Sequence, residues 1–372
     1  MRVRQQDGRQ VHLSYCTNVH PAEDLPGIIG QLDTYAVAIR ERLGADVLGL
    51  GLWLAAPMAA ALADDGEARR QLRTELDVRG LEVVTLNGFP YEAFQAPVVK
   101  HAVYHPDWTT PERLEYTLDL ARILVDLLPD DAERGSVSTL PLAWREPWTT
   151  VQQDAARHML DRLAHGLTEI AWETGRLVRV AFEPEPGCVA ETTSQAVGML
   201  AGADTDRLGV CLDLAHLACA WEDPADAVKR LATAGIPVVK VQVSAALEVA
   251  DPVAARPVLE RYAEPRFLHQ TRSAGGHSCD DLDIALAENP AGPWRVHFHV
   301  PVHTPPEPPL TATTGVLREA LGVVSCDHFD VETYTWDVLP AGHRPTSPAE
   351  LADGIAGELA WTRDVLSGQV NA

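Results

Sequence analysis

The sequence predicts a closed (β/α)8 barrel on three observations: eight short β-favouring runs, helix-start signals between them, and a length of 372 residues that suits one such barrel. The runs are 13–17, 47–52, 82–86, 136–140, 178–183, 208–212, 238–243 and 328–333. Strands that alternate with helices make a mainly parallel sheet, and eight of them close most economically into a cylinder. An open doubly wound sheet is the alternative, but no GxGxxG follows the first strand.

The helices declare themselves by their starts. Thr110 before Pro111 reads as an N-cap and first helical residue, and Leu114, Leu118, Ala121 and Val125 then recur at helical spacing, giving a helix near 111–128. Thr150 with Gln153, Thr192 with Gln195 and Ser347 with Glu350 fit the capping-box spacing, and Asp223 before Pro224 adds another start. The uncharged stretch 47–63 is broken by Gly49, Gly51 and Pro57, so it reads as a strand, a loop and a short helix rather than a membrane span.

The rhythm breaks once. Between 243 and 328 lie a Pro-rich tract (Pro301, Pro305, Pro306, Pro308, Pro309) and two strand-like runs, 267–271 and 295–300. Long excursions in barrels sit over the active face, so 245–325 is expected to be an inserted loop or hairpin lid within a single domain spanning 1–372.

Composition narrows the partners. With 53 acidic against 30 basic residues, a net charge of −23 and no basic run, the chain is a poor match for a phosphate backbone or an anionic membrane surface. Six cysteines without a CxxC pair suggest reduced thiols, and the polar N-terminal stretch lacks the apolar core of a signal peptide, so a cytoplasmic location is expected.

Reactive groups of a (β/α)8 barrel project from the C-terminal ends of its strands. There the sequence places Glu183 and Glu185 on one face, Asp213 followed by His216, the alternating set Lys240, Gln242 and Ser244, and the set Asp330, Glu332, Tyr334 and Trp336. Any one such acid is ordinarily a helix cap or a surface group. Several in register, crowded into a narrow mouth, repel each other, and a bound cation keeps them ionised. A divalent metal is therefore expected: carboxylates and an amide suit Mn2+ or Mg2+, and added imidazoles shift the preference toward Zn2+ or Co2+. His297 and His299 share a strand face and can chelate a metal, contact a ligand or simply face solvent; His269 on the neighbouring run is a weaker candidate. Trp53, Phe89, Tyr91 and Trp336 are candidates for an apolar wall.

The ordered set Glu183, Asp213 with His216, Gln242 and Glu332 resembles the xylose isomerase-like barrels, a superfamily of sugar isomerases, epimerases and endonuclease IV-type enzymes. The series YCTNVHP (15–21), TLNGFPY (85–91), YHPDW (104–108), STLP (138–141), FEPEPGC (182–188), CLDLAH (211–216), KVQVS (240–244), HFHVP (297–301) and VETYTW (331–336) resembles, more narrowly, the EboE-type metabolite traffic proteins, over nearly the whole chain. The resemblance implies Glu183, Asp213 and Glu332 as metal ligands. The superfamily commonly places a His on the seventh strand, where this chain has Gln242; either Gln242 coordinates through its carbonyl oxygen or His299 takes over.

The resemblance further implies a metal-dependent isomerase or epimerase acting on a sugar, cyclitol or other small polyhydroxy carbonyl compound through an enediolate. Glu183 and Glu332 would act as base and acid, His216 would orient or protonate a substrate oxygen, and Lys240 would hold an anionic group. The rival implied by the EboE-type likeness is a protein that carries a metabolite without turning it over, alongside other proteins of the same operon. An endonuclease would need a basic groove that the charge balance denies.

Overall fold

The computed structural model, which describes residues 1–369, is built around a closed barrel of eight parallel strands. These are β2 (Gln10–Cys16), β3 (Leu48–Trp53), β4 (Leu81–Asn87), β5 (Gly135–Thr139), β6 (Val178–Phe182), β7 (Leu208–Asp213), β8 (Val238–Val243) and β14 (His328–Val331). Each pairs with its successor in parallel, and β14 returns to β2 to close the cylinder. A short β1 (Arg2–Arg4) adds antiparallel to β2. All eight expected strands are present, with no end shifted by more than three residues and 238–243 matched at both ends.

Helix starts follow the local chemistry, with one slip of register. The helix Pro111–Leu127 begins after Thr110, and Thr192 with Gln195 forms a reciprocal capping box before Thr193–Met199. The box on the long helix Thr150–Thr174 uses Thr149 and Gln152, not Thr150 and Gln153, because the neighbouring Thr-Thr and Gln-Gln pairs make the two registers indistinguishable in sequence. Ser347 caps Pro348–Leu366 by accepting from the Glu350 backbone N–H, but the Glu350 side chain turns to Thr346 instead of closing the box. The 47–63 stretch is a strand followed by the helix Ala56–Asp64, and no helix among the described residues is long and apolar enough to cross a membrane.

The segment between β8 and β14 is more elaborate than a hairpin. It forms a five-stranded antiparallel sheet from β9 (Ala246–Val249), β10 (Thr271–Ser273), β11 (Ser278–Cys279), β12 (Trp294–His299) and β13 (Thr311–Ala312), in the order β11-β10-β12-β9-β13. The expected strand at 295–300 is β12; that at 267–271 is mostly irregular, since the His269 and Gln270 side chains are drawn into hydrogen bonds around His297.

The barrel interior is polar in tiers. In one, Ser136 hydrogen-bonds Thr85 (2.8 Å) and His328 (2.8 Å). In the tier above, Lys240 and Asp330 pair at 2.9 Å, both fully buried, while Ser14 donates to Asp330 at 2.6 Å. Gly51 leaves the room for this pair: a Cβ there would collide with the Asp330 carboxylate. Two opposite charges out of water are tolerable only together, because either alone keeps its full desolvation cost. Lys240→Met should therefore lower unfolding free energy in urea by about 3–5 kcal/mol, and the double variant Lys240→Met/Asp330→Leu should recover most of that loss.

Candidate functional site

Above that tier, the C-terminal strand ends raise a ring of buried carboxylates. Asp213 ends β7; its Oδ1 accepts from the His216 backbone N–H (2.9 Å) and from Ser244 (2.8 Å), and its buried Oδ2 has no hydrogen-bond partner. Glu183 directly follows β6, and its buried Oε2 is likewise without a partner. Glu332 follows β14, and its Oε1 accepts from Asn18 (2.7 Å) and Asn87 (2.9 Å), which sit at the ends of β2 and β4. Gln242 lies between Asp213 and Asp330 in the strand register, fully buried, with neither side-chain polar atom engaged.

The histidines arrive from two directions. His216 stands one turn beyond Asp213, and β12 delivers His297 and His299 from the second sheet. Their ring contacts fix the tautomers. Nδ1 of His216 faces the Pro184 carbonyl (2.9 Å), Nδ1 of His299 faces the Glu332 carbonyl (2.8 Å), and Nδ1 of His297 faces Gln270 Oε1 (2.8 Å). Gln270 is oriented by donating its amide to Tyr104 (2.8 Å) and to the Pro186 carbonyl (2.9 Å), so its oxygen must accept. Each imidazole thus spends its proton at Nδ1 and turns a lone pair at Nε2 inward. His216 and His297 bring these lone pairs to 2.9 Å, a contact that requires a shared proton or a cation, and His299 Nε2 has no partner and lies 3.8 Å from Asp213 Oδ2.

Electrostatics push in the same direction. Burial, then the neighbouring Glu332 and Asp213 charges, hold the Glu183 carboxyl well above the usual range, with Lys240 below opposing. Glu332 is pushed up to about 8 by burial and by Asp213, again against Lys240. Burial lowers His299 to about 4 and drives His297 down as well. Unpartnered oxygens of Glu183 and Asp213, the latter 3.8 Å from the free His299 Nε2, with the unengaged Gln242 amide beside Asp213 in the strand register, form a donor set that fits a divalent cation. Donor atoms of Glu183, Asp213 and His216 lie within 4.8 Å of one another, as do those of Asp213, His299 and Glu332, and of His216, His297 and His299.

The site opens on a cavity of about 50 Å³ whose lining includes Glu183, Glu185, His216, His297 and Glu332. Lys240 is absent from its lining: the charge expected to meet a substrate is spent on Asp330 one tier below. His269 is also absent, its ring held between the His297 carbonyl and Glu264. Of the four aromatics expected in an apolar wall, only Phe89 lines the cavity. Alternation fails beyond Glu332 because β14 ends at Val331; Tyr334 still reaches the cavity, but Trp336 turns away to donate to Glu358. Asn18, Asn87, Tyr104 and Gln270 were not singled out by sequence reasoning, although the first three fall inside the quoted motifs.

A family model described as "Xylose isomerase-like TIM barrel" matches residues 37–256. The chain belongs to that family. No curated protein matches it in sequence. Among solved structures, the fold of this xylose isomerase-like barrel is similar to that of D-psicose 3-epimerase with D-tagatose from Clostridium cellulolyticum H10, at 12% identity, TM-score 0.52, and coverage of 96% of this chain and 99% of that one. It is similar to D-allulose 3-epimerase from Methylomonas sp. in complex with D-allulose (13% identity, TM-score 0.51, 97% and 98% covered). It is also similar to a xylose isomerase-like TIM barrel protein from Mycobacterium smegmatis in complex with magnesium (15% identity, TM-score 0.50, 99% and 94% covered).

The raised carboxyls of this barrel set a pH dependence. Between the unfolded value of about 4.5 and the folded value of about 8, the folded protein keeps a proton on Glu332 that the unfolded chain has released. Metal-free stability should therefore fall as pH rises through that window. A divalent cation, which binds the ionised forms, should reverse the trend and expel protons. Thermal unfolding from pH 5 to 8.5, with EDTA and with MnCl2, checks both signs.

Proposed function

We propose that this barrel is a divalent-metal-dependent isomerase or epimerase that moves a proton on a carbon α to the carbonyl of a small polyhydroxy compound. The observation that carries the reading is the pair Glu183 and Glu332: two buried carboxyls that line one cavity, each with an oxygen within 4.8 Å of an Asp213 oxygen. Membership of the xylose isomerase-like family and a fold shared with ketose 3-epimerases support it. Glu183, Asp213, Gln242 and Glu332 would hold the cation, with His299 completing the set in place of Gln242 if an imidazole is preferred. When bound, a divalent cation supplies positive charge that polarises a substrate carbonyl.

The remaining steps belong to side chains. Glu183 and Glu332, which both line the cavity, serve as base and acid on the two faces of the α-carbon. His216, oriented through Nδ1 by the Pro184 carbonyl, protonates or steadies a substrate oxygen when the His216–His297 pair carries a proton. Lys240 acts from beneath, opposing the rise of both glutamates' pKa values without reaching the lumen. We place the chain with the EboE-type proteins on its motif series, and in the cytoplasm, where its six buried free cysteines remain thiols.

A second reading, carriage of the metabolite without turnover, is favoured by one observation: the neutral amide of Gln242 holds a cation less firmly than an imidazole would. Incubation with a panel of ketoses and inososes in deuterated water separates the two. Turnover places solvent deuterium at the α-carbon, and carriage leaves the ligand unlabelled. Glu332→Gln should lower the exchange rate by about 10²–10⁴-fold with the fold intact by circular dichroism; an active variant would remove Glu332 from the mechanism.

A further inference from the structure

The inserted sheet gathers a second set of donor atoms, outside the barrel. His277 and Cys279 lie two residues apart on the hairpin that joins β10 to β11, and Glu288, the last residue of the helix Leu282–Glu288, reaches back to both. His277 Nε2 stands 2.7 Å, and Cys279 Sγ 3.5 Å, from one and the same oxygen, Glu288 Oε2. All three donor atoms lie within 4.8 Å of one another.

Those separations are close to the edges of a metal polyhedron. Ligand atoms about 2.0 Å (N, O) and 2.3 Å (S) from a tetrahedral zinc stand roughly 3.3–3.5 Å apart, so the imidazole would have to retreat by only about half an ångström. Glu288 also sits where negative charge is unfavourable without a cation, beside the exposed carbonyls at the end of its helix. Arg272 donates to the Cys279 carbonyl (2.9 Å), but its own charge is matched by Glu191. The side chains of His277 and Glu288 are 51% and 50% exposed, which gives an ion a way in and leaves a water the fourth position.

We propose that His277, Cys279 and Glu288 form a zinc site on the inserted sheet, separate from the carboxylate ring of the barrel. Thiolate and imidazole select Zn2+ over Mg2+ or Mn2+. Binding sends the Cys279 thiol proton to water, and the thiolate and carboxylate together neutralise the ion. The metal closes the loop between Cys279 and Glu288. That loop carries Asp280 and Asp281, whose pairs with Arg145 and Lys100 dock the insertion on the barrel, so the ion clips the docking segment in place. The proposal is independent of whether the barrel turns over a substrate.

Cobalt reports such a site directly, because a tetrahedral cobalt–thiolate centre has a sulfur-to-metal charge-transfer band in the near ultraviolet that carboxylate and imidazole ligands cannot produce. Titration of the reduced, EDTA-treated protein with CoCl2 should raise this band to saturation at one site per chain. ZnCl2 should abolish it and excess MgCl2 should leave it unchanged. Cys279→Ser should lose the band, and His277→Ala, an exposed position, should weaken cobalt binding there at least about tenfold. Absence of the band in the unaltered protein, or its survival in Cys279→Ser, would overturn the proposal. If Cys279→Ser fails to fold, an unchanged titration of His277→Ala does the same.

Discussion

Like charges forced together out of water are the constraint on which the rest of this structure depends. Glu183, Asp213 and Glu332 are each no more than 5% exposed, and they converge where the barrel opens. Lys240 lies within the barrel beneath them and opposes the rise of both glutamates' pKa values, but it is paired with Asp330, whose charge acts the other way on Glu332. Protonation relieves the repulsion in part, which is why Glu183 and Glu332 sit at raised pKa. A divalent cation relieves it fully. The surroundings are arranged to leave room for one: Asn18 and Asn87 fix one oxygen of Glu332, Ser244 and a backbone N–H fix one oxygen of Asp213, and a buried oxygen without a hydrogen-bond partner remains on Asp213 and on Glu183.

The second sheet extends this site beyond what eight strands alone can build. It delivers His297 and His299 through β12 and contributes Phe267 and Leu268 to the cavity. Its attachment to the barrel is ionic as well as apolar: Lys100 pairs with Asp281, Arg145 with Asp280, and Arg272 with Glu191, engaging the loops that follow β4, β5 and β6 in turn. Burial of the carboxylates strengthens every charge–charge and charge–dipole interaction around them.

The eight barrel strands were legible because buried parallel strands are short apolar runs bounded by helix caps, a local signal. The polar residues that end those runs were legible for the same reason: donor atoms of Asp213 lie within 4.8 Å of those of Glu183 and His216, and of those of His299 and Glu332. Lys240 was misplaced because alternation reports which face a side chain takes, not how deep it lies; its partner Asp330 and the gap at Gly51 are tertiary facts. Trp336 was lost when the strand stopped early. The aromatic contacts among Phe94, Phe267 and Tyr334 in the cavity lining were invisible because these residues are far apart in sequence and sit in irregular segments with no periodicity. The small strands β9, β11 and β13 carry two to four residues each, too few for any pattern to register.

Crystals grown with MnCl2 and measured for anomalous scattering test the central claim most directly. The account requires an anomalous peak bounded by Glu183, Asp213 and Glu332, with Gln242 or His299 beside it. Well-ordered carboxylates around ordinary water, with manganese absent or bound only at the surface, would contradict it.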